Sequence, residues 1–231
     1  MKTHRCGTFA SLIAVLAVFL FTICMFVGVF WWNGREYAHL SFPQKYYFLV
    51  RDCESATAAA VAGQIYVSGG SGYYIESGEL NAVVLSCYFR EEAAGLVCES
   101  MKEKGVESRV VALAPKDLYL NGKIAVESTR ISANAETADS CARLLYDTAN
   151  GLERTEISQE EARAAVRGVQ KSLQGLCLEN RGDAYGRWNA LLTEAERKCG
   201  EVADGILFSK DVRYILAQLC YAVVNLGNYF S

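Results

Sequence analysis

Apolar and polar residues follow three regimes along this chain. Phe9 to Trp32 carries no charged residue and is dominated by Leu, Ile, Val, Phe and Ala. A helix needs about 20 apolar residues, at about 1.5 Å rise each, to cross the hydrocarbon of a bilayer. The run meets that length, and Trp31 and Trp32 end it where amphipathic indoles favour the headgroup region. The alternative is a cleaved signal peptide, whose apolar core spans about 7–15 residues and ends on small side chains. This run is longer and exits through Phe30, Trp31 and Trp32. The expectation is therefore an uncleaved transmembrane anchor, with residues 1–8 as a short cytoplasmic leader. Lys2 and Arg5 precede the run and Arg35, Lys45 and Arg51 follow it. The short basic leader predicts a single pass through the cell membrane, N-terminus cytoplasmic and the remainder extracytoplasmic.

After a polar-aromatic linker (residues 33–45, with Pro43), the period changes to that of strands alternating with helices. Tyr46 to Val50 is aromatic and β-branched, and so a strand. Ser55 can open an Ala-rich helix that runs to about Val67, and Gly69-Gly70 stops it. Gly72 to Glu76 and Asn81 to Phe89 read as two further strands about a Ser77-Gly78-Glu79 turn. Arg90 to Lys104 has an amphipathic helical stripe (Ala93, Ala94, Val97, Cys98, Met101), and Val106 to Leu113 is a fourth strand. The order β-α-β-β-α-β predicts two interleaved crossovers, the ferredoxin-like arrangement, with both helices on one face of a four-stranded antiparallel sheet.

From residue 115 the spacing is helical. Leu118 to Leu120 forms a short strand or turn, then helices fall near 135–152, 158–178, 183–203 and 209–228. Ser158 and Glu161 make a capping box. The last helix is apolar enough to be buried, but Lys210, Asp211 and Arg213 leave too short an uncharged run for a second span. The expected fold class is thus α+β: an N-terminal transmembrane helix (9–32), a small βαββαβ module (46–114) and a C-terminal helical bundle (115–231).

Composition narrows the chemistry. A net charge of −3 shows no basic excess, so nucleic acid is not an expected partner. Seven cysteines lie beyond the anchor, an odd number with no CxxC and no Cys/His cluster, so no metal or cofactor is expected. Most read as small buried hydrophobes. His39 is the one histidine after the anchor, which removes Ser-His and Cys-His arrangements from the folded region. The paired acids Glu91-Glu92 and Glu160-Glu161 open helices, where acids favour the positive dipole end. Gly69 to Gly72 lacks the Lys-Ser/Thr of a phosphate loop. The chain is not expected to be an enzyme.

Three segments resemble the SPOR domain over Tyr46 to Leu113. Tyr47-Phe48-Leu49-Val50-Arg51 stands for the first strand, Val83 to Ala93 for the third strand and the acidic Ala-rich helix, and Met101 to Ser108 for the turn into the last strand. Arg51 occupies the usual Gln position, Asp52-Cys53 replace small residues, and Cys87-Tyr88 replace Gly-Pro. The resemblance implies a non-catalytic module that binds peptidoglycan glycan strands stripped of stem peptides, in localisation or scaffolding during division, remodelling or sporulation.

The residues themselves allow a glycan surface. Alternation puts Tyr47, Leu49 and Arg51 on one face and Phe48 and Val50 on the other. If the module's helices cover the second set, the first lies on an open face with Val83, Leu85 and Tyr73 or Tyr74. Aromatic rings stack on sugars, and Arg51 donates in a planar fork. The competing reading is that the C-terminal helices cover that apolar face. The module is then a structural or protein-docking unit, with protein partners met through the helical region.

Overall fold

The computed structural model describes residues 37–77, 80–180 and 185–230, together with Thr22, Ile23 and Met25. The architecture is α+β with two antiparallel sheets. A two-stranded ribbon pairs β1 (Tyr37–Leu40) with β6 (Leu118–Asn121), so part of the expected linker is strand. The four-stranded sheet is built from β2 (Tyr46–Asp52), β3 (Tyr73–Ser77), β4 (Leu80–Tyr88) and β5 (Arg109–Leu113), in the order β3-β4-β2-β5. Every pairing is antiparallel, so β2 runs parallel to β3 with β4 between them, and β4 parallel to β5 with β2 between. Helices α1 (Ala58–Val67) and α2 (Glu91–Glu103) make the two crossovers. A bulge between Leu49 and Val50 shifts the β2–β4 register. It places Leu85 and Ser86 against one residue of β2 and increases the local twist.

Among the described residues six helical segments follow: α3 (Lys123–Val126), α4 (Ser128–Glu153), α5 (Gln159–Glu179), α6 (Gly186–Asp204), α7 (Ser209–Val224) and α8 (Gly227–Phe230). Local chemistry sets their starts. The Ser158 amide donates to Glu161 Oε2 at 2.8 Å, and the Glu161 amide donates to Ser158 Oγ at 3.2 Å, closing the capping box at α5. The Ser158 amide, and then the Ser158 hydroxyl donating to the same oxygen at 2.8 Å, hold the Glu161 carboxyl below its ordinary range. Asp211 does the corresponding work at α7, accepting from the Phe208 amide at 3.3 Å.

Among the described residues no helix is long and apolar enough to cross a membrane. The expected architecture led by a transmembrane helix, and the single-pass membrane location drawn from it, therefore do not stand. The stretch 9–32 on which they rested lies outside the described residues, Thr22, Ile23 and Met25 apart. The helices that are described are those of a folded domain. The long ones, α4, α5 and α6, bury one stripe and carry charges on the other. Helix α7 is buried on most sides, but it has 16 residues and begins on Lys210, Asp211 and Arg213, against the roughly 20 apolar residues a span requires.

The four-stranded sheet is the middle of three layers. On one face Phe48, Val50, Ile75, Ala82, Val84 and Cys87 join a core continuous with Leu145, Ile215, Leu219 and Cys220 of α4 and α7. On the other, Leu49, Val83, Leu85 and Tyr88 pack with Ile65 of α1 and with Ala94 and Cys98 of α2. Phe48, Leu49, Val50, Val83 and Val84 have no exposed surface. Burying each such side chain is worth roughly 1.5–3 kcal/mol. All seven cysteines in the described region are free; Cys53 and Cys177 are half-buried and the rest buried.

A buried polar hub ties the bundle to the sheet. The Tyr46 hydroxyl donates to Asp139 Oδ1 at 2.7 Å, and Arg143 Nε donates to Asp139 Oδ2 at 2.8 Å. The Arg143 guanidinium lies 4.4 Å over the Phe89 ring, which meets Tyr46 edge-on at 5.7 Å. Burial, then the nearby Cys220 and Asp139, pushes the Tyr46 phenol far up, so it stays a donor.

Candidate functional site

The expected glycan face is divided and covered. Leu49, Val83 and Leu85 do share a side of the sheet, as alternation requires, but that side lies under α1 and α2. Tyr47 is half-buried against the same core, with the Lys45 ammonium 5.3 Å from its ring. Arg51, opposite Val83 in the register, is half-buried. Tyr73 is on the other face, edge-on to Tyr214 at 5.4 Å and to Tyr221 at 6.1 Å on α7. Its neighbour Tyr74 bonds Asn81 at 3.1 Å on the α1 side. Tyr47, Leu49, Tyr74, Val83 and Leu85 thus lie on the side covered by α1 and α2, and Tyr73 on the side covered by α7.

A different feature is open to solvent. A groove of about 530 Å³ runs between α1, the loop into β3 and the turn joining α6 to α7. Ala62, Gly63 and Tyr66 form one wall, Val202, Gly205 and Ile206 the other, and Tyr214 and Ile215 line it from α7. Two glycines shape it. Gly72 has φ +68°, and a Cβ there would stand 2.8 Å from the Ala62 carbonyl oxygen, so α1 and the start of β3 approach as closely as only glycine permits. Gly63 has open space where a Cβ would go.

The groove's carboxylates are already partnered. The Tyr66 hydroxyl donates to Asp211 in a short bond. Burial, then that carboxylate, pushes the phenol up to about 12, so it is neutral near pH 7. The Lys210 ammonium sits 4.5 Å over the Tyr66 ring and 5.6 Å from the Phe208 ring. Lys198 pairs with Glu201 at 3.2 Å. The carboxylates of Asp211 and Glu201 thus already have donors, and the site offers apolar walls with a charge-balanced rim. Of its turn residues, Ile206 is 73% exposed, and Phe208, two positions on, is 52% exposed, apolar side chains left in water.

No group of three or more His, Cys, Asp and Glu able to hold a metal occurs among the described residues. His39 lies on the two-stranded ribbon, stacked on Tyr119 at 4.7 Å and 3.2 Å from Asp117. No family model, curated protein or solved structure matches this chain. The groove has no sequence motif. Its one legible sign is the pair Ile206 and Phe208 in an interhelical turn, where polar residues are usual.

Proposed function

We propose that the region from Tyr37 onward is a protein-docking unit, binding rather than catalytic, and that its groove takes apolar side chains from a segment of a partner protein. The observation that carries this reading is the burial of Leu49, Val83 and Leu85 beneath α1 and α2, with α7 on the opposite face. A glycan strand needs an open sheet, whereas an apolar groove with paired charges suits protein side chains. The resemblance to SPOR domains is one of element order and sequence pattern, and it is compatible with a module whose binding surface lies elsewhere. Binding rather than catalysis is supported by the groove's paired carboxylates and by the position of His39 on the ribbon.

The test uses the full-length chain in its native cells, with a photo-crosslinking residue at Ile206. A discrete protein adduct is expected, lost when Gly63→Leu fills the groove from a position with free space. An adduct unchanged by Gly63→Leu would count against the groove. In parallel, purified peptidoglycan should retain none of the chain, before or after amidase removal of its stem peptides. Retention abolished by Tyr47→Ala with Arg51→Ala would restore the glycan reading.

A further inference from the structure

The four-stranded sheet has two edges, and they are finished differently. At β3 the outer side is closed by α7: the Tyr221 hydroxyl donates to the Glu76 carbonyl at 2.6 Å, and Tyr73 packs edge-on to Tyr214 and Tyr221. At β5 no strand pairs with the outer side among the described residues. An edge strand displays a row of N–H and C=O groups, and natural proteins blunt such edges with Lys, Pro, bulges or a covering element. The sequence Arg109-Val110-Val111-Ala112-Leu113 has none of the first three: no Lys, no Pro within it and no bulge in its register with β2. Its single charge is neutralised at home, since Arg109 donates to both Asp52 carboxylate oxygens at 2.7 and 2.8 Å.

We propose that β5 is the contact through which two copies of this chain associate, their β5 strands pairing antiparallel about a two-fold axis at Val111. Three observations select a second copy as the occupant. The edge offers no unpaired charge to attract an acidic or basic strand, so a strand of its own composition is the complementary one. In the register centred on Val111, Arg109 faces Leu113 of the other copy and Val110 faces Ala112, so no like charges oppose. Pro115, which has no N–H to give, stops pairing just beyond Leu113, so five residues on each strand match without overhang. The sheet then continues across the two-fold, a self-complementary closed contact. This inference rests on the β5 edge alone and is independent of the groove.

Analytical ultracentrifugation of the full-length chain, beside its Ala112→Lys variant, tests it. Ala112 is exposed, and a lysine there is the edge-blocking device that β5 lacks. The wild-type chain should sediment with a dimer fraction that grows with concentration, and Ala112→Lys should weaken that association by about tenfold or more. Hydrogen exchange read in the same samples separates this contact from any other association: β5 amides should slow as wild-type concentration rises, and not in the variant. Equal sedimentation of the two proteins at every concentration would overturn the proposal. So would β5 amides whose exchange ignores concentration while another segment becomes protected.

Discussion

The two faces of the four-stranded sheet are built on different scales. The face toward α1 and α2 closes over a small core of seven buried residues, of which Ile65, Ala94 and Cys98 are the helical contribution. The face toward the bundle joins a core that runs through α4, α5, α6 and α7 and contains the Tyr46–Asp139–Arg143 hub. Small residues on α1 and α2 let those helices lie close to the strands. On the bundle side, large side chains such as Phe48 fill the space and a buried carboxylate fixes the docking. A sheet covered on both sides is a partition between two cores, and its functional surface must be sought at its edges or in the layers around it.

The largest effect that can break this comparison is loss of packing. Phe48→Ala should cost roughly 3–5 kcal/mol and Leu49→Ala roughly 2–5 kcal/mol, since both leave cavities at sites with no exposed surface. Urea unfolding of both variants measures it. A Leu49→Ala variant as stable as wild type would mean that its face is open, as a glycan surface requires. Next in size is the hub. Tyr46→Phe leaves one Asp139 oxygen without its donor and should lower stability by about 1–3 kcal/mol. The drop should shrink in the background of Asp139→Asn, because the two residues form one network.

Titration sharpens the contrast further. Burial holds the Cys199 thiol up to about 12, and the Tyr66 phenol also up to about 12. Each folded value lies above the unfolded one, so the stabilisation is complete below about pH 9 for a thiol and about pH 10 for a phenol. It is lost as pH climbs toward 12. Thermal melts at rising pH should show stability flat to about 9 and falling above it, and Cys199→Ala should reduce the earlier part of that fall, which the Cys220 and Cys141 thiols, also raised by burial, share. The smallest expected effect is at the β2–β5 border. The Arg109 guanidinium holds the Asp52 carboxyl below its ordinary value, so its stabilisation is present above about pH 4 and lost as pH falls. Because both groups are more than half exposed, solvent screening limits the pair to below about 1 kcal/mol, to be read from Asp52→Asn melts at pH 7 and pH 3.

Much of the local structure was legible along the chain. Strands and helices from Tyr46 to Val224 begin and end within a few residues of their expected bounds, except that α4 starts earlier than periodicity alone indicated and the short α3 had no counterpart in that reading. Aromatic and β-branched runs, glycine stops and the Ser158 box carry that information locally. The pairing of Tyr37–Leu40 with Leu118–Asn121 was not legible, because a ribbon joining positions about 80 residues apart has no local signal. Nor was the layer that covers each face, since alternation sorts side chains into two sets without saying what meets them. One sign of double burial was present. Ala82 to Tyr88 is an almost continuous apolar run, which is the pattern of a strand covered on both sides rather than on one. The groove depends on the meeting of α1 with the α6–α7 turn, about 140 residues away in sequence, and only the exposed Ile206 and Phe208 hinted at it.

Native-state thiol labelling tests the covered sheet most directly, because cysteines already stand on both of its sides. The full-length chain is treated with a small alkylating reagent without denaturant, and each cysteine's modification is followed by peptide mass spectrometry. Among the cysteines of the described residues, half-buried Cys53 and Cys177 should react first, while Cys87 on β4 should be protected as strongly as Cys220 of α7, which packs over it. Cys98, beneath α2, should also lag. Labelling of Cys87 as fast as Cys53 would contradict the three-layer arrangement, leaving that face of the sheet open to solvent and to ligands.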